Sequence, residues 1–143
     1  MIEGYRISAD LPEMDFEMLH RYLSTSYWSK GIPFETMREA LANSLCFGIF
    51  TESGSQIGFA RMITDRATFA YLADVFILEE HRGKGLSKWL METILRHSDL
   101  QGLRRILLAT KDAHGLYEQF GFTALASPEK LMELWSPDVY ETS

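Results

Sequence analysis

The chain is short of the features that would take it outside ordinary globular proteins. It has one cysteine, Cys46, in 143 residues, so no internal disulfide can form. The setting Leu45-Cys46-Phe47 reads as a small buried hydrophobe. No Cys/His pairs stand at ligand spacing, so no metal site is expected. Positive charge is in deficit, with 14 Lys and Arg against 20 Asp and Glu, a net charge of −6. That disfavours a general nucleic-acid binder, which shows a basic face. No apolar run is long enough to cross a bilayer, so no membrane partner is expected. Met1-Ile-Glu-Gly-Tyr5 lacks the basic-then-apolar pattern of a leader. The expected compartment is the cytoplasm. With only four prolines and no repeat or low-complexity run, residues 1–143 read as one domain.

The common phosphate and nucleophile motifs are missing too. Gly83-Lys84-Gly85 begins the dinucleotide pattern G-x-G-x-x-G, but Lys88 stands where its last Gly should be. No G-x-x-x-x-G-K-[ST] and no nucleophile elbow occurs.

What is present centres on residues 69–90. Residues 69–78 form an apolar run with branched and aromatic residues, the pattern of a strand covered on both faces. From Leu86 the apolar period changes. Leu86, Trp89, Leu90, Ile94 and Leu95 fall on one stripe of a helix. The strand-to-helix junction carries Arg82, Gly83, Lys84, Gly85 and Lys88. The first N–H groups of a helix lack intrahelical partners, and glycines let an anion come close to the backbone. The junction can therefore hold phosphate, or it can be a plain tight loop.

Elsewhere, residues 2–8 read as a first strand. A helix is expected to begin near Pro12, capped by Asp10 or Ser8, with Met14, Met18, Leu19, Tyr22 and Leu23 on its apolar face. Residues 24–31 break it, and a second helix runs over 33–43. Residues 45–51 and 56–64 read as strands joined by the turn Glu52-Ser-Gly-Ser55. Short loops make these and 69–78 antiparallel neighbours. Residues 105–110 form a buried strand lying parallel to 69–78, because a helix intervenes. A short helix follows, opened by Lys111 or Asp112 and ended by Gly121 in a left-handed cap. Residues 122–125 and 130–135 read as the last strands.

Residues 82–87, Arg82-Gly-Lys-Gly85-Leu-Ser87, resemble the acyl-CoA loop Arg/Gln-x-x-Gly-x-Gly/Ala of the GCN5-related N-acetyltransferases, the GNAT family. Ser87 departs from the usual Gly or Ala but is still small. Leu116-Tyr-Glu-Gln-Phe-Gly-Phe122 resembles a second hallmark of that family, Leu-Tyr-x-x-x-Gly-Phe. Tyr71-Leu-Ala-Asp-Val-Phe-Ile77 is similar to the matching strand of the diamine N-acetyltransferases, with Ala73 in place of their glutamate.

The resemblance implies an α/β fold: a mixed central sheet flanked by helices, with two parallel strands splayed at a cofactor cleft. It implies acetyl-CoA as co-substrate. Val75, Phe76 and Ile77 would face the acetyl and pantetheine portion. Arg82, Gly83, Lys84, Gly85, Leu86, Ser87 and Lys88 would face the pyrophosphate. Thr110 stands where family members often carry a cofactor-contacting Asn. Tyr117 would protonate the departing thiolate, which needs a weak acid still protonated at neutral pH, such as a phenol of pKa ~10. Tyr27 and Trp28 fall where the family places acceptor-binding residues.

Asp74 is read two ways. A carboxylate in an apolar strand is costly unless paired or working. It is either the substrate-facing acid that holds the acceptor amine, or one half of an ion pair with Arg61 or Arg105. The expected activity is direct acetyl transfer to a primary amine of a small cationic molecule. The alternatives are an acyl-CoA-binding module without turnover, or transfer to a protein N-terminus or lysine. Homodimers are common in the family, so a homodimer is a possible assembly.

Overall fold

Period-two patterning in residues 45–77 builds the centre of the molecule. In the strand Leu45–Thr51 (β2), Leu45, Phe47 and Ile49 enter one apolar layer, and Cys46 and Phe50 enter the other. β2 pairs antiparallel with Tyr5–Ser8 (β1) and with Gln56–Thr64 (β3). β3 pairs antiparallel with Phe69–Ile77 (β4), and β4 pairs parallel with Arg105–Leu108 (β5). The result is one mixed sheet in the order β1-β2-β3-β4-β5. The computed structural model describes residues 1–141.

Helices cover both faces. Leu86–Arg96 (α3) lays Leu86, Leu90, Met91 and Ile94 on one. Phe16–Ser24 (α1) and Phe34–Ala42 (α2) cover the other with Leu19, Leu23, Met37 and Leu41. A short helix, His114–Glu118 (α4), follows β5. This is the expected mixed sheet flanked by helices.

β4 is where the sheet departs from regularity. Ala70 and Leu72 enter the α3 layer, yet so does Ile77, of opposite parity, while Phe76 enters the α1–α2 layer. The parity change is a bulge. The pairing jumps from Arg61↔Ala73 to Phe59↔Phe76, so Asp74 and Val75 together oppose one residue of β3. Asp74 takes a positive φ of 56°. Asp tolerates this left-handed conformation better than most side chains.

The β4–β5 ladder ends at Leu72↔Leu108, whereas β4 continues to Ile77. Beyond Leu72 β4 has β3 on one side and, among the described residues, no strand on the other. This is the expected splay.

Four expectations are corrected. α1 starts at Phe16 rather than near Pro12. Leu11–Glu13 forms only a 3-10 turn, the chain extends again at Met14, and the cap is Asp15, whose carboxylate accepts from Met18 N–H at 3.1 Å. β4 is not covered on both faces throughout, because Tyr71, Ala73 and Val75 are half-buried where they line a cleft. α4 opens at His114 after Ala113, with neither Lys111 nor Asp112 as cap. Residues 122–125 and 130–135 are not strands. Pro128–Lys130 is a 3-10 turn and the rest is irregular, with no ladder partner.

Candidate active site

The gap between β4 and β5 opens into a cleft of about 880 Å³. Of the residues singled out by sequence, Asp74, Val75, Phe76, Arg82, Thr110, Tyr117, Tyr27 and Trp28 all line it. They come from four places. The bulged strand supplies the first three, the loop into α3 supplies Arg82, the α4 region supplies Thr110 and Tyr117, and the break after α1 supplies Tyr27 and Trp28. Ile77 lies apart, buried in the α3 layer.

At one end of the cleft Asp74 is buried and bonded twice. One carboxylate oxygen accepts from Trp28 Nε1 at 2.8 Å, and the other accepts from Arg61 Nε at 2.8 Å. Arg61 also donates to Ser44 Oγ at 3.1 Å. The side chains of Arg61 and Asp74 are 16% and 7% exposed, so a buried carboxylate meets a half-buried guanidinium. The sequence left Arg61 or Arg105 as partner, and the partner is Arg61.

Rings surround that end. Tyr22 stacks on Phe76 with centroids 3.8 Å apart, and Tyr27 meets Trp28 edge-on at 5.1 Å. Tyr71 and Tyr140 complete the lining.

At the other wall Tyr117 is buried and packs edge-on against Phe122 at 5.9 Å. Its hydroxyl makes no side-chain hydrogen bond among the described residues, although the residue lines the cleft. Burial first, and the neighbouring Tyr27 second, push its pKa above the ordinary phenol value. Thr110 Oγ1 accepts from Ala113 N–H at 3.0 Å, which fixes the turn into α4.

The Gly-rich loop leads from the end of β4 to α3. Gly83 and Gly85 have φ of 79° and 78°, a conformation that favours glycine. Gly85 caps α3 with no side-chain hydrogen bond, so the first N–H groups of an eleven-residue helix stay available to an anion. A Cβ on Gly83 would meet nothing within 4 Å, so the loop surface is open. Arg82 is less free than its sequence implies. Its Nε donates to the Ile77 carbonyl at 2.8 Å, tying the loop to the strand end. Lys84 leans on Tyr5, donating to its hydroxyl at 3.2 Å. Ser87 and Lys88 lie in the first turn of α3. Glycines, free N–H groups and two tethered cations make a surface that could hold a phosphate.

Sequence reasoning missed Tyr22, Arg61 as a cleft residue, Tyr71 and Tyr140. Tyr22 was legible only as an apolar helix position, and Tyr140 carries no local signal. Arg61 was legible as a partner for Asp74.

Comparison with known proteins fits this arrangement. The sequence profile of the acetyltransferase (GNAT) family matches residues 12–122. A candidate acetyltransferase of Gibberella zeae is 33% identical over 135 aligned positions, covering 79% of this chain and 75% of that protein. The crystal structure of a candidate GNAT acetyltransferase from Xanthomonas campestris is 50% identical, with a TM-score of 0.95 over 99% of this chain and 100% of that one. A spermidine N-acetyltransferase chimera from Vibrio cholerae shares the fold, at 22% identity and a TM-score of 0.63 over 82% of this chain and 79% of its own. Loop, bulged strand and cleft tyrosine thus sit in a chain that belongs to the acetyltransferase (GNAT) family.

Proposed function

We propose that this protein is an acetyl-CoA-dependent N-acetyltransferase that transfers the acetyl group directly to a primary amine of a small cationic molecule. The observation that carries the reading is one cleft, opened by the splay of β4, with Tyr117 on one wall and Asp74 on another.

Acetyl-CoA supplies an activated acetyl thioester when bound. Beyond Leu72, where β5 no longer pairs with it, the backbone of β4 is the source of donors assigned to that side of the cleft. Such fixed donors stabilise developing charge on a carbonyl oxygen. Residues 82–88 would hold the phosphates. Tyr117 is protonated at neutral pH and donates toward the departing sulfur. Direct transfer is favoured over an acyl-enzyme route by the position of the single thiol. Cys46 is buried outside the cleft, and burial pushes its pKa up to about 12, so no thiolate is available there.

The acceptor end explains the amine. An alkylammonium of pKa ~10.4 needs roughly 4–5 kcal/mol to become the free base at neutral pH. Asp74 keeps acceptor capacity beyond its two bonds, because an ionised carboxylate has about four acceptor sites. Arg61 offsets its charge. Much of the attraction for a cation therefore falls to the faces of Trp28 and Tyr71, because Tyr22 stacks on Phe76 and Lys111 Nζ already lies 5.3 Å from the Tyr27 ring centroid.

The test is a panel of polyamines, simple alkylamines, arylalkylamines and a peptide with free N-terminus and lysine, followed by release of free CoA thiol. Small amines should be turned over ahead of the peptide. Preference for the peptide would reverse the small-molecule reading. Acetyl-CoA binding without turnover of any amine would make the protein a binding module. The cytoplasmic setting and the single-domain reading of residues 1–143 stand as part of the same proposal.

A further inference from the structure

Four large side chains that line the cleft belong to neither apolar layer of the fold. Tyr27, Trp28 and Ile63 are 68%, 39% and 42% exposed, and Tyr71 is half-buried. Ile63 and Tyr71 stand opposite one another on β3 and β4, two residues along from the pair Arg61↔Ala73. Opposed residues of antiparallel strands share a face of the sheet. The intervening Met62 and Leu72 enter the α3 layer, so Ile63 and Tyr71 point to the other face, and no residue of the α1–α2 cluster covers them. Bare apolar surface gathered inside a concave site, rather than scattered over the molecule, marks a place that a ligand covers.

Tyr27 is already occupied, because Lys111 Nζ lies 5.3 Å from its ring centroid. That leaves Trp28, Ile63 and Tyr71. Trp28 is also fixed in place, since its Nε1 donates to Asp74 at 2.8 Å. An indole so pinned loses little freedom when a ligand lies on it.

Charge shows what the body of that ligand is not. Among the described residues lining the cleft, the cations are Arg61, Arg82 and Lys111, and the acids are Asp74 and Asp112. Arg61 is paired with Asp74. Arg82 and Lys111 then stand against Asp112 alone, so a second ammonium on the ligand would meet more like charge than opposite charge. Ile63, Tyr71 and Ala73 add no charge to that balance.

We propose that Trp28, Ile63 and Tyr71 form a subsite for a flat apolar ring, so that the acceptor is a monoamine carrying an aromatic group on a short tether and not a polyamine. The inference rests on the acetyltransferase reading for the part played by the amine, and it narrows the acceptor class. An ammonium at Asp74 lies beside the indole. Ile63 and Tyr71 lie two residues further along their strands than Arg61 and Ala73, about 7 Å at the usual strand rise. A ring two carbons from the nitrogen spans that step. Ring against indole and phenol is a favourable aromatic pairing beyond the area it buries.

The test compares phenethylamine, ethylamine and putrescine on the full chain. Calorimetry with and without CoA gives their affinities, and free thiol release from acetyl-CoA gives kcat/KM for the same three. Phenethylamine should be ahead of both others by about tenfold or more in each measurement. Ile63→Glu, at an exposed strand position, places a second carboxylate beside Tyr71 and should close the gap between phenethylamine and putrescine by about tenfold. Tyr71→Leu should weaken phenethylamine several-fold and leave ethylamine unchanged. Thiol release with none of the amines would overturn the acetyltransferase reading, and the calorimetric ranking would still decide the subsite. Putrescine equal to or ahead of phenethylamine overturns the subsite and leaves the activity standing. So does equal affinity for phenethylamine and ethylamine, no binding of any of the three, or a ranking that neither variant moves, because the ring then rests elsewhere.

Discussion

At the scale of single residues, Tyr117 and Asp74 differ in how completely the protein has already used them. Tyr117 has a hydroxyl without a side-chain partner among the described residues and a pKa raised by burial and by Tyr27. Burial makes it a weaker acid, so in the proposed reaction its part would be to donate a hydrogen bond to charge growing on sulfur more than to transfer its proton completely. Tyr117→Phe should then lower kcat toward the lower end of 10²–10⁴-fold, roughly a hundredfold, with little change in acetyl-CoA affinity. The raised pKa keeps the phenol protonated beyond pH ~10, so the alkaline fall in kcat should begin above that value in the wild type and vanish in the Phe variant. Folding stability should likewise be unaffected by this group at lower pH. It should decline only as pH rises past ~10, where the unfolded phenol ionises and the buried one resists. An unchanged kcat would return Tyr117 to packing. Asp74 is committed on both oxygens, to Trp28 and Arg61. Asp74→Asn suits the positive φ and keeps the shape, but it leaves the half-buried Arg61 without its counter-charge. Breaking one half of a fully buried pair costs roughly 3 kcal/mol and this part-shielded pair less, so a lower melting temperature is expected in any case. The functional role adds a second effect, a lower kcat/KM for the amine and a rate optimum moved to higher pH, with acetyl-CoA binding spared. A stability loss with an unchanged pH–rate profile would leave Asp74 as the holder of Trp28 and Arg61, and the cationic-acceptor reading would lose its carboxylate.

At the scale of elements, the loop into α3 and the bulge in β4 decide what the sheet can bind. Gly85 sits at φ 78°, and a Cβ there would meet only Ile2 Cδ1 at an ordinary 3.9 Å. Space is therefore not the obstacle. Backbone conformation and the approach of a ligand are. Gly85→Val should cost about 1–2 kcal/mol of stability for the left-handed conformation, and it should raise KM for acetyl-CoA several-fold or more by placing a branched side chain over the free N–H groups of α3. Calorimetry on the folded variant checks this, and equal affinity would remove the loop from the cofactor site. These elements were legible to different degrees. The antiparallel strands over 45–64 and the helix over 86–96 were plain, because period and turn residues agree there. The loop was legible because two glycines, basic residues and a change of period coincide. The splay of β4 was legible only through the family resemblance, and nothing local in Ala73-Asp74-Val75 marks the left-handed aspartate at its bulge. The start of α1 was misread because Asp10 and Pro12 form a good cap-and-first-turn signal, which the structure uses for a single 3-10 turn before Asp15 takes over as cap.

At the scale of the whole molecule, residues 122–125 and 130–135 explain why the tail was read as strands. Their apolar patterning is real, but a strand needs a ladder, and the described residues provide none. Tyr140 shows the complementary failure. It reaches the acceptor end of the cleft from the far terminus, a long-range contact that no local pattern announces. Tyr140 packs on the α1–α2 layer and also lines the cleft, so its removal should be felt twice. Tyr140→Ala should lower the melting temperature by a few degrees, for roughly 1–2 kcal/mol of packing lost at a half-buried site. It should also raise KM for the amine acceptor while sparing acetyl-CoA binding. Thermal melts and steady-state kinetics on the variant check both, and an unchanged KM would leave Tyr140 as a packing residue alone.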